Sequence, residues 1–283
     1  MSNLNVRSIT GKDGQPVQFP TGIVIGSGTF GGINNIGIVG QAGVGVGVCP
    51  GPMPAGMGGL SDYQNPLADN YGNYQYSEGS VMCWMPAFYF KWGTGANGVT
   101  LNQVSIKAFS EYVDVAAANA AGYALHRAFY DGGAIQAGVF VDKYVPSNNG
   151  GIASSLKNGI PLASALRGGI ANTNFASLTG APADTLGGAI AAAKTRGANF
   201  FPESGFIENA RAMLSYAHGQ ASSTTTYCAW YHATNNFPKG CNNNALGDAQ
   251  DAAILYFDDG TATNCGNPVC AHYAQWPELR DRG

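Results

Sequence analysis

The spacing of apolar residues changes its period along this chain, and that change limits the folds that the chain can adopt. Between residues 81 and 145, apolar residues come in short aromatic runs or alternate with polar ones, as in "VMCWMPAFYFKW" (81–92), "NQVSIKAF" (102–109) and "GVFVDKYV" (138–145). A period of two predicts β-strands. Further on the spacing becomes helical, so strands and helices occupy different parts of the chain. We therefore predict an α+β fold.

Two helices are expected in the middle of the chain. The first lies in "PADTLGGAIAAAKTRG" (182–197), with Asp184 as its N-cap and Gly197 placed to stop it. The second lies in "PESGFIENARAMLSYAHG" (202–219), with Gly219 as the C′ residue. Its predicted buried face contains Phe206, Ile207, Ala210, Met213, Leu214 and Ala217. One late strand, "AILYF", follows among long loops.

Glycine is abundant and charge is scarce in this protein. The chain has 41 glycines, and only 11% of its residues are charged, against about 25% in an ordinary globular domain. Low charge together with much glycine suits a chain whose surface is largely covered by packing contacts rather than exposed to solvent. Residues 31–79 are the richest in glycine and are predicted to form an extended arm that packs against another subunit. The alternative is a flexible linker, but the segment is too apolar for one: it contains Ile33, Ile36, Ile38, Val39, Val44, Val46 and Val48.

The first 30 residues read as a short unit that cannot bury a core of its own. "NLNVRSIT" alternates like an exposed strand, and "GKDGQP" predicts a turn.

Membranes and nucleic acids are not expected as partners. The chain does not start with the apolar run of a secretion signal, and no stretch reaches the length of a membrane helix, so we expect no membrane insertion. The net charge of −3 and the lack of a basic stripe argue against nucleic acid as a partner.

Six cysteines raise the question of disulfides or metal. They are Cys49, Cys83, Cys228, Cys241, Cys265 and Cys270. No CxxC pair occurs, and no histidine has zinc-finger spacing. We favour free thiols in a reducing compartment, with a disulfide or a metal site as alternatives.

Catalytic residues in a recognisable pattern are not evident in the sequence. Cys228 and His232 could act as nucleophile and base, but no third residue in sequence would orient them. The acidic turn "DDGTATN" offers Asp258, Asp259 and Asn264 to calcium, but we favour the interpretation that it is simply a polar turn. His126 is interpreted as a structural residue and His218 as a cation at a helix C-terminus. We predict no enzyme activity, no cofactor and no metal.

One late stretch has the composition of a recognition loop. "TYCAWYHATNNFPKGCNNNALGD" (226–248) mixes aromatic rings with asparagines, which supply both donors and acceptors. The alternative is that these rings fill the small core of the loop itself and the asparagines cap turns. The predicted ligand-binding residues are Tyr227, Trp230, Tyr231, His232, Asn235, Asn236 and Phe237.

Four segments, in this order, resemble a family of phage virion proteins. They are "VMCWMPAFYFKW", "GYALHRAFYDGGAIQAGVFVDKYVPS", "GANFFPESGFIENARAMLSY" and "FPKGCNNNALGD". The family carries a C-type-lectin-like domain of the branch that contains formylglycine-generating enzymes and the major tropism determinant. The resemblance covers roughly residues 80–270. It implies a C-type-lectin-like domain with two helices and short antiparallel strands.

The resemblance also implies a domain organisation and a location. Residues 80–283 would form the lectin-like domain, residues 31–79 the arm, and residues 1–30 a segment that binds other virion proteins. The expected anchoring residues are Leu4, Val6, Ile9, Val17, Phe19 and Ile23. The protein would be assembled in the host cytoplasm into a fibre, spike or head or tail appendage, as a homo-oligomer with a trimer favoured. It would attach the particle to a host-surface glycan or protein; the alternative is a capsid-decorating or tail-stabilising protein without a ligand.

The end of the chain departs from the family pattern. Relatives continue with a His-Asn-Gly-Gln segment, where this chain has "YAQWPELRDRG". That tail can be coded so that a one-base shift reads Thr-His-Asn-Gly-Gln-Asn-Cys-Gly-Ile-Ala. We therefore expect a truncated or frameshifted end and a longer in-frame product, which the gene sequence would test. The binding residues of diversity-generating relatives and the catalytic cysteines of the enzymes fall in that region. Neither set of residues is therefore assigned to positions of this chain.

Overall fold

The structure is a computed structural model that describes residues 24–25, 28–29, 34–166, 169–180 and 185–223. Within these ranges the chain forms short strands and three α-helices. The strands are β1 Val24–Ile25, β2 Gly28–Thr29, β3 Met57–Gly59, β4 Asn73–Tyr76, β5 Val81–Pro86, β6 Phe88–Trp92, β7 Val104–Ala108, β8 Ala124–Leu125, β9 Tyr130–Asp131, β10 Ala134–Ile135, β11 Gly138–Asp142, β12 Ser147–Asn149 and β13 Ile152–Ser154. The helices are α1 Val115–Ala120, α2 Leu186–Lys194 and α3 Gly205–Ala221. Few helices and several small antiparallel sheets make this a mixed α+β fold, as predicted.

Two sheets carry most of the fold. The larger has the strand order β11-β5-β4-β3, and the smaller has the order β7-β6-β8. The aromatic run 81–92 supplies a strand to each sheet, with Ala87 between them. The Ala87 N–H donates to the Ala137 carbonyl at 2.8 Å, which holds the point where the chain passes from one sheet to the other.

Strand β11 is covered on both faces. Phe140 lies opposite Trp84 in the register with β5, and its ring contacts those of Trp84 and Tyr74 edge-on at 4.8 and 5.1 Å. Val141, opposite Cys83, points into the main core. The predicted strand 138–145 is therefore correct in type, but it ends at Asp142.

The glycine-rich arm, where it is described, packs on its own chain. Ile36, Val46 and Val48 are buried in the same cluster as the residues of β5 and β6. This corrects the prediction that these side chains pack against another subunit. The arm also supplies β3 and β4 to the larger sheet.

Glycine explains why the arm can lie so close to the sheet. The Gly47 N–H donates to the Trp84 carbonyl at 3.0 Å. A Cβ at Gly47 would lie 2.5 Å from the Asn35 carbonyl oxygen and 2.7 Å from the Pro86 ring. The alternation of valine with glycine thus places valine side chains in the core while the bare backbone approaches β5.

Helix α3 agrees with the prediction along most of its length. Ser204 caps it, with its Oγ accepting from the Ile207 N–H at 3.3 Å, and five of the six predicted core residues are buried. Phe206 is the exception: it lies in the first turn and is 57% exposed. Gly219 was predicted to end the helix but lies inside it, because the contacts of the last turn outweigh the helix cost of glycine, about 1 kcal/mol.

The ends of the other helices differ from the prediction by small shifts. Thr185 caps α2, accepting from the Gly188 N–H at 3.3 Å, whereas the predicted cap Asp184 lies outside the described residues. Gly197 lies beyond the helix end, with φ at 156°.

Helix α1 was not predicted, since its alanines show no apolar periodicity. Asp114 caps this helix, because its side chain accepts from the Ala117 N–H at 2.8 Å.

Candidate functional site

The residues predicted from sequence to bind a ligand or to anchor the chain all lie outside the described residues. The ligand-binding set is Tyr227, Trp230, Tyr231, His232, Asn235, Asn236 and Phe237, and the anchoring set is Leu4, Val6, Ile9, Val17, Phe19 and Ile23. The alternative calcium ligands Asp258, Asp259 and Asn264, and the Cys228–His232 pair, lie outside them as well.

Helix α3 leads directly into that run. The helix ends at Ala221, Ser222 is its C-cap, and Tyr227 follows five residues later. The predicted binding run therefore follows α3 closely in the sequence.

An exposed aromatic surface lies at that same end of α3. Trp92, the last residue of β6, is 47% exposed. Its ring lies 5.8 Å from the ring of Tyr216 on α3, centroid to centroid, and the two planes are inclined by 52°. Leu101, in the hairpin that joins β6 to β7, is 62% exposed. We name Trp92, Leu101 and Tyr216 the α3-end surface.

Backbone hydrogen bonds and side-chain amides hold this hairpin in place. The Gly93 N–H donates to the Gln103 carbonyl at 2.7 Å. The Asn97 side chain donates to the Trp92 carbonyl at 2.8 Å. The Tyr216 hydroxyl donates to the Asn102 carbonyl at 2.9 Å, which joins the hairpin to α3. These bonds hold the backbone of Trp92 and the hydroxyl of Tyr216, so the two elements that carry the rings are joined.

Beneath the surface, the last turns of α3 are tied to the arm and to β7. His218 is buried, and its Nδ1 accepts from the Gly40 N–H at 2.9 Å. The Gln220 side-chain oxygen accepts from the Val104 N–H at 3.3 Å. His218 was expected to act as a cation at the helix end. The bond from Gly40 instead requires an unprotonated Nδ1, so the ring serves as an acceptor.

The first half of α3 is held by a second buried histidine. His126 Nδ1 accepts from the Ala128 N–H at 3.2 Å, so Nε2 carries the proton and donates to the Asn209 side-chain oxygen at 3.0 Å. Its ring lies among Phe88, Phe90 and Phe129. Burial lowers the pKa of His126, and the bond with Asn209 partly offsets this. These contacts agree with the interpretation of His126 as a structural residue.

A partly buried ion-pair network lies away from this surface. Arg196, just beyond α2, contacts Asp142 and Glu78, donates to the Ala153 carbonyl, and lies over the Phe200 ring at 4.9 Å. It thereby joins the loop after α2 to the end of β11, to the turn between β4 and β5, and to β13. These contacts of Arg196 all lie within the chain, and we interpret the network as structural.

The described thiols are free and poorly reactive. Cys49 is half-buried, and Cys83 is buried with its Sγ donating to the Asn73 side-chain oxygen at 3.0 Å. Burial raises the pKa of Cys83 to about 12 and also raises the pKa of Cys49. A thiol with so high a pKa carries almost no thiolate at neutral pH, so Cys83 is not suited to act as a nucleophile.

Two further features were sought in the part of the chain that the structure describes. There, His, Cys, Asp and Glu side chains do not gather in groups of three or more that could hold a metal ion. None of the helices in these ranges combines the length and apolar character needed to cross a bilayer.

Comparisons with family models, with curated proteins and with solved structures gave no match for this chain.

The α3-end surface was not predicted from sequence, although a signal was present. Trp92 ends an apolar strand and precedes a hairpin rich in Gly, Thr and Asn without a single charge. A large aromatic residue placed at such a boundary indicates partial exposure, since the residues that follow cannot bury it.

Proposed function

We propose that this chain is a structural component of a phage particle that displays a C-type-lectin-like domain for attachment to the host surface. The component would belong to a fibre, a spike or another head or tail appendage. It would bind other virion proteins through residues 1–30 and act by binding rather than by catalysis. The virion would be its site of action, after assembly in the host cytoplasm.

The observation that carries the proposal is the α3-end surface. It exposes Trp92 and Leu101 beside Tyr216, at the end of the helix from which the predicted binding run 227–237 continues. Exposed aromatic side chains on rigid elements are typical of recognition surfaces. The first two of the four segments that carry the family resemblance also pack together, since β5 pairs with β11 along five residues.

The outward face of α2 supports the proposed association of several copies. Leu186 is 77% exposed and Ile190 is 44% exposed, one helical turn apart, while Gly188 and Ala192 are buried on the opposite face. A helix that is apolar on both sides favours a second packing partner. We propose that this partner is another copy of the chain, because Leu186 and Ile190 form an apolar patch and the charged Lys194, one turn further along this face, donates its Nζ to the Ala198 carbonyl of its own chain.

Adsorption of particles to host cells tests attachment. The double variant Trp230→Ala, Tyr231→Ala is expected to abolish adsorption while leaving the amount of protein in purified particles unchanged. Unchanged adsorption would favour the alternative, a capsid-decorating or tail-stabilising protein without a ligand. Deletion of residues 1–30 is expected to remove the protein from particles, since it takes away the proposed anchor but not the described core.

A further inference from the structure

We infer that Asn158 is a site of self-modification, at which the side-chain amide is lost and an aspartate or isoaspartate forms. The inference goes beyond the proposed function and does not depend on it. It starts from the Asn-Gly pairs of the chain, which lie at 97–98, 149–150 and 158–159. Asparagine is most open to this reaction before glycine, because glycine has no side chain to hinder attack by its own backbone nitrogen.

The reaction needs only the chain itself and water. The backbone nitrogen of Gly159 loses its proton to solvent and forms a bond to Cγ of Asn158. The bond between Cγ and Nδ2 breaks, and the departing nitrogen takes up a proton and leaves as ammonia. Water then opens the resulting cyclic imide at one of its two carbonyls, which gives aspartate or isoaspartate.

The other two asparagines are held by their side chains. The Asn97 amide nitrogen donates to the Trp92 carbonyl at 2.8 Å, and its oxygen accepts from the Thr94 N–H at 3.3 Å. Asn149 lies in β12, and its amide nitrogen donates to the Glu78 carbonyl at 3.1 Å. Each carboxamide has to give up such bonds before its Cγ can turn towards the next backbone nitrogen, and this raises the barrier to the reaction.

Asn158 is held by no such contacts. Its side chain is exposed and takes part in none of the hydrogen bonds found among the described residues. It is the third residue of a turn, which the Gly159 N–H closes by donating to the Leu156 carbonyl at 3.2 Å. One long hydrogen bond therefore has to open before the Gly159 nitrogen can attack.

The fold itself requires this reactive pair. Asn158 has φ at 63°, a left-handed conformation that asparagine adopts more readily than most residues. A Cβ at Gly159 would lie 2.2 Å from Oγ and 2.6 Å from Cβ of Ser147, which is buried. The turn thus selects asparagine and then glycine for their shapes, and the chemical lability follows from that choice.

The surroundings favour the charge of the product. Burial lowers the pKa of Lys143, and the positive charge of Lys157 lowers it further, so these two ammonium groups repel each other. A new carboxylate at position 158, beside Lys157, offsets part of this repulsion. Because the conversion is uncatalysed and irreversible, the modified fraction records the time since the protein was made.

Peptide mass spectrometry of the full-length protein tests the inference. The folded protein is incubated at pH 7.5, sampled over time and digested with a protease that is active in acid, where the reaction is slow. We expect amide loss at Asn158 to be roughly tenfold or more faster than at Asn97 or Asn149. The rate should rise with pH, since the attacking nitrogen has to lose its proton.

The control is the same chain unfolded in guanidinium chloride, where the three pairs no longer differ in structure and should react at comparable rates. Asn158→Gln should lack the fast reaction, because its longer side chain has to close a less favourable six-membered ring; thermal unfolding should establish that this variant is folded. The inference is overturned if Asn97 or Asn149 reacts as fast as Asn158 in the folded wild type. It is also overturned if Asn158 keeps its amide in the folded protein while the unfolded chain loses it.

Discussion

Arg196 and Asp142 form a two-pronged ion pair, with Nη1 2.6 Å from Oδ1 and Nη2 3.1 Å from Oδ2. The arginine side chain is only 4% exposed, and its Nε is also 3.0 Å from a Glu78 carboxylate oxygen. The loop after α2 is thus joined to the end of β11 and to the turn between β4 and β5. Such planar, paired contacts are specific to arginine.

Replacing Arg196 with methionine should therefore be strongly destabilising. The substitution keeps an apolar stem but leaves the carboxylates of Asp142 and Glu78 without their partner. Removing one member of a buried ion pair costs about 3–5 kcal/mol. Urea unfolding should show a loss of this order. The control is Lys107→Met in the exposed pair Lys107–Glu111, whose charged atoms lie 2.8 Å apart; it should cost about 1 kcal/mol or less. Equal losses of stability in the two variants would contradict the structural role of Arg196.

Two glycines should respond differently to the same change. Gly47→Ala would place a methyl group against the Asn35 carbonyl and the Pro86 ring, so we expect a loss of about 1–3 kcal/mol from overpacking. Gly58→Ala, in β3, meets no atom within 4 Å and should leave stability unchanged or slightly raised. Thermal unfolding of both variants measures the difference. A tolerated Gly47→Ala would mean that residues 34–48 do not pack closely on β5.

The sequence predicted the elements that have a strong apolar period. The strands of 81–92, 104–108 and 138–142, and α3, all follow from such patterns. It did not predict that Ala87 divides one aromatic run between two sheets. That division depends on the bond from Ala87 to Ala137, fifty residues away, which no local pattern encodes.

Errors about the arm and the candidate site have one physical cause. Periodicity shows which residues need burial but not what buries them. Ile36, Val46 and Val48 were correctly seen as apolar and were assigned to a neighbouring subunit, whereas the described chain buries them itself. Conversely, the period of two placed Trp92 in a strand without showing that it is half exposed, because exposure depends on the polar hairpin that follows it.

Acid should destabilise the protein through His126. Burial lowers the pKa of this imidazole in the folded chain, so near pH 6 the unfolded chain binds more protons. The contribution of His126 to the free energy of unfolding is complete above its ordinary pKa of about 6.5. It falls as the pH decreases through that value towards the lowered folded pKa.

The measurement is the free energy of unfolding in urea at pH 7.5 and at pH 5.5. The variant His126→Gln has no titrating group at this position, so its stability should decrease less over this interval than that of the wild type. Carboxylates titrate alike in both proteins and cancel in the comparison. Parallel pH profiles would show that His126 does not couple protonation to unfolding.

A carboxylate on the outward face of α2 should prevent copies of the chain from associating. Ile190→Glu would bury a charge in the proposed contact, where an unpaired carboxylate is strongly disfavoured. Light scattering should show the molar mass of the wild-type oligomer falling towards that of a monomer. Leu67→Glu, which changes another exposed apolar residue to the same charge, should keep the wild-type mass. A monomeric wild type, or an Ile190→Glu variant that loses stability at unchanged mass, would show that α2 does not bind a second copy.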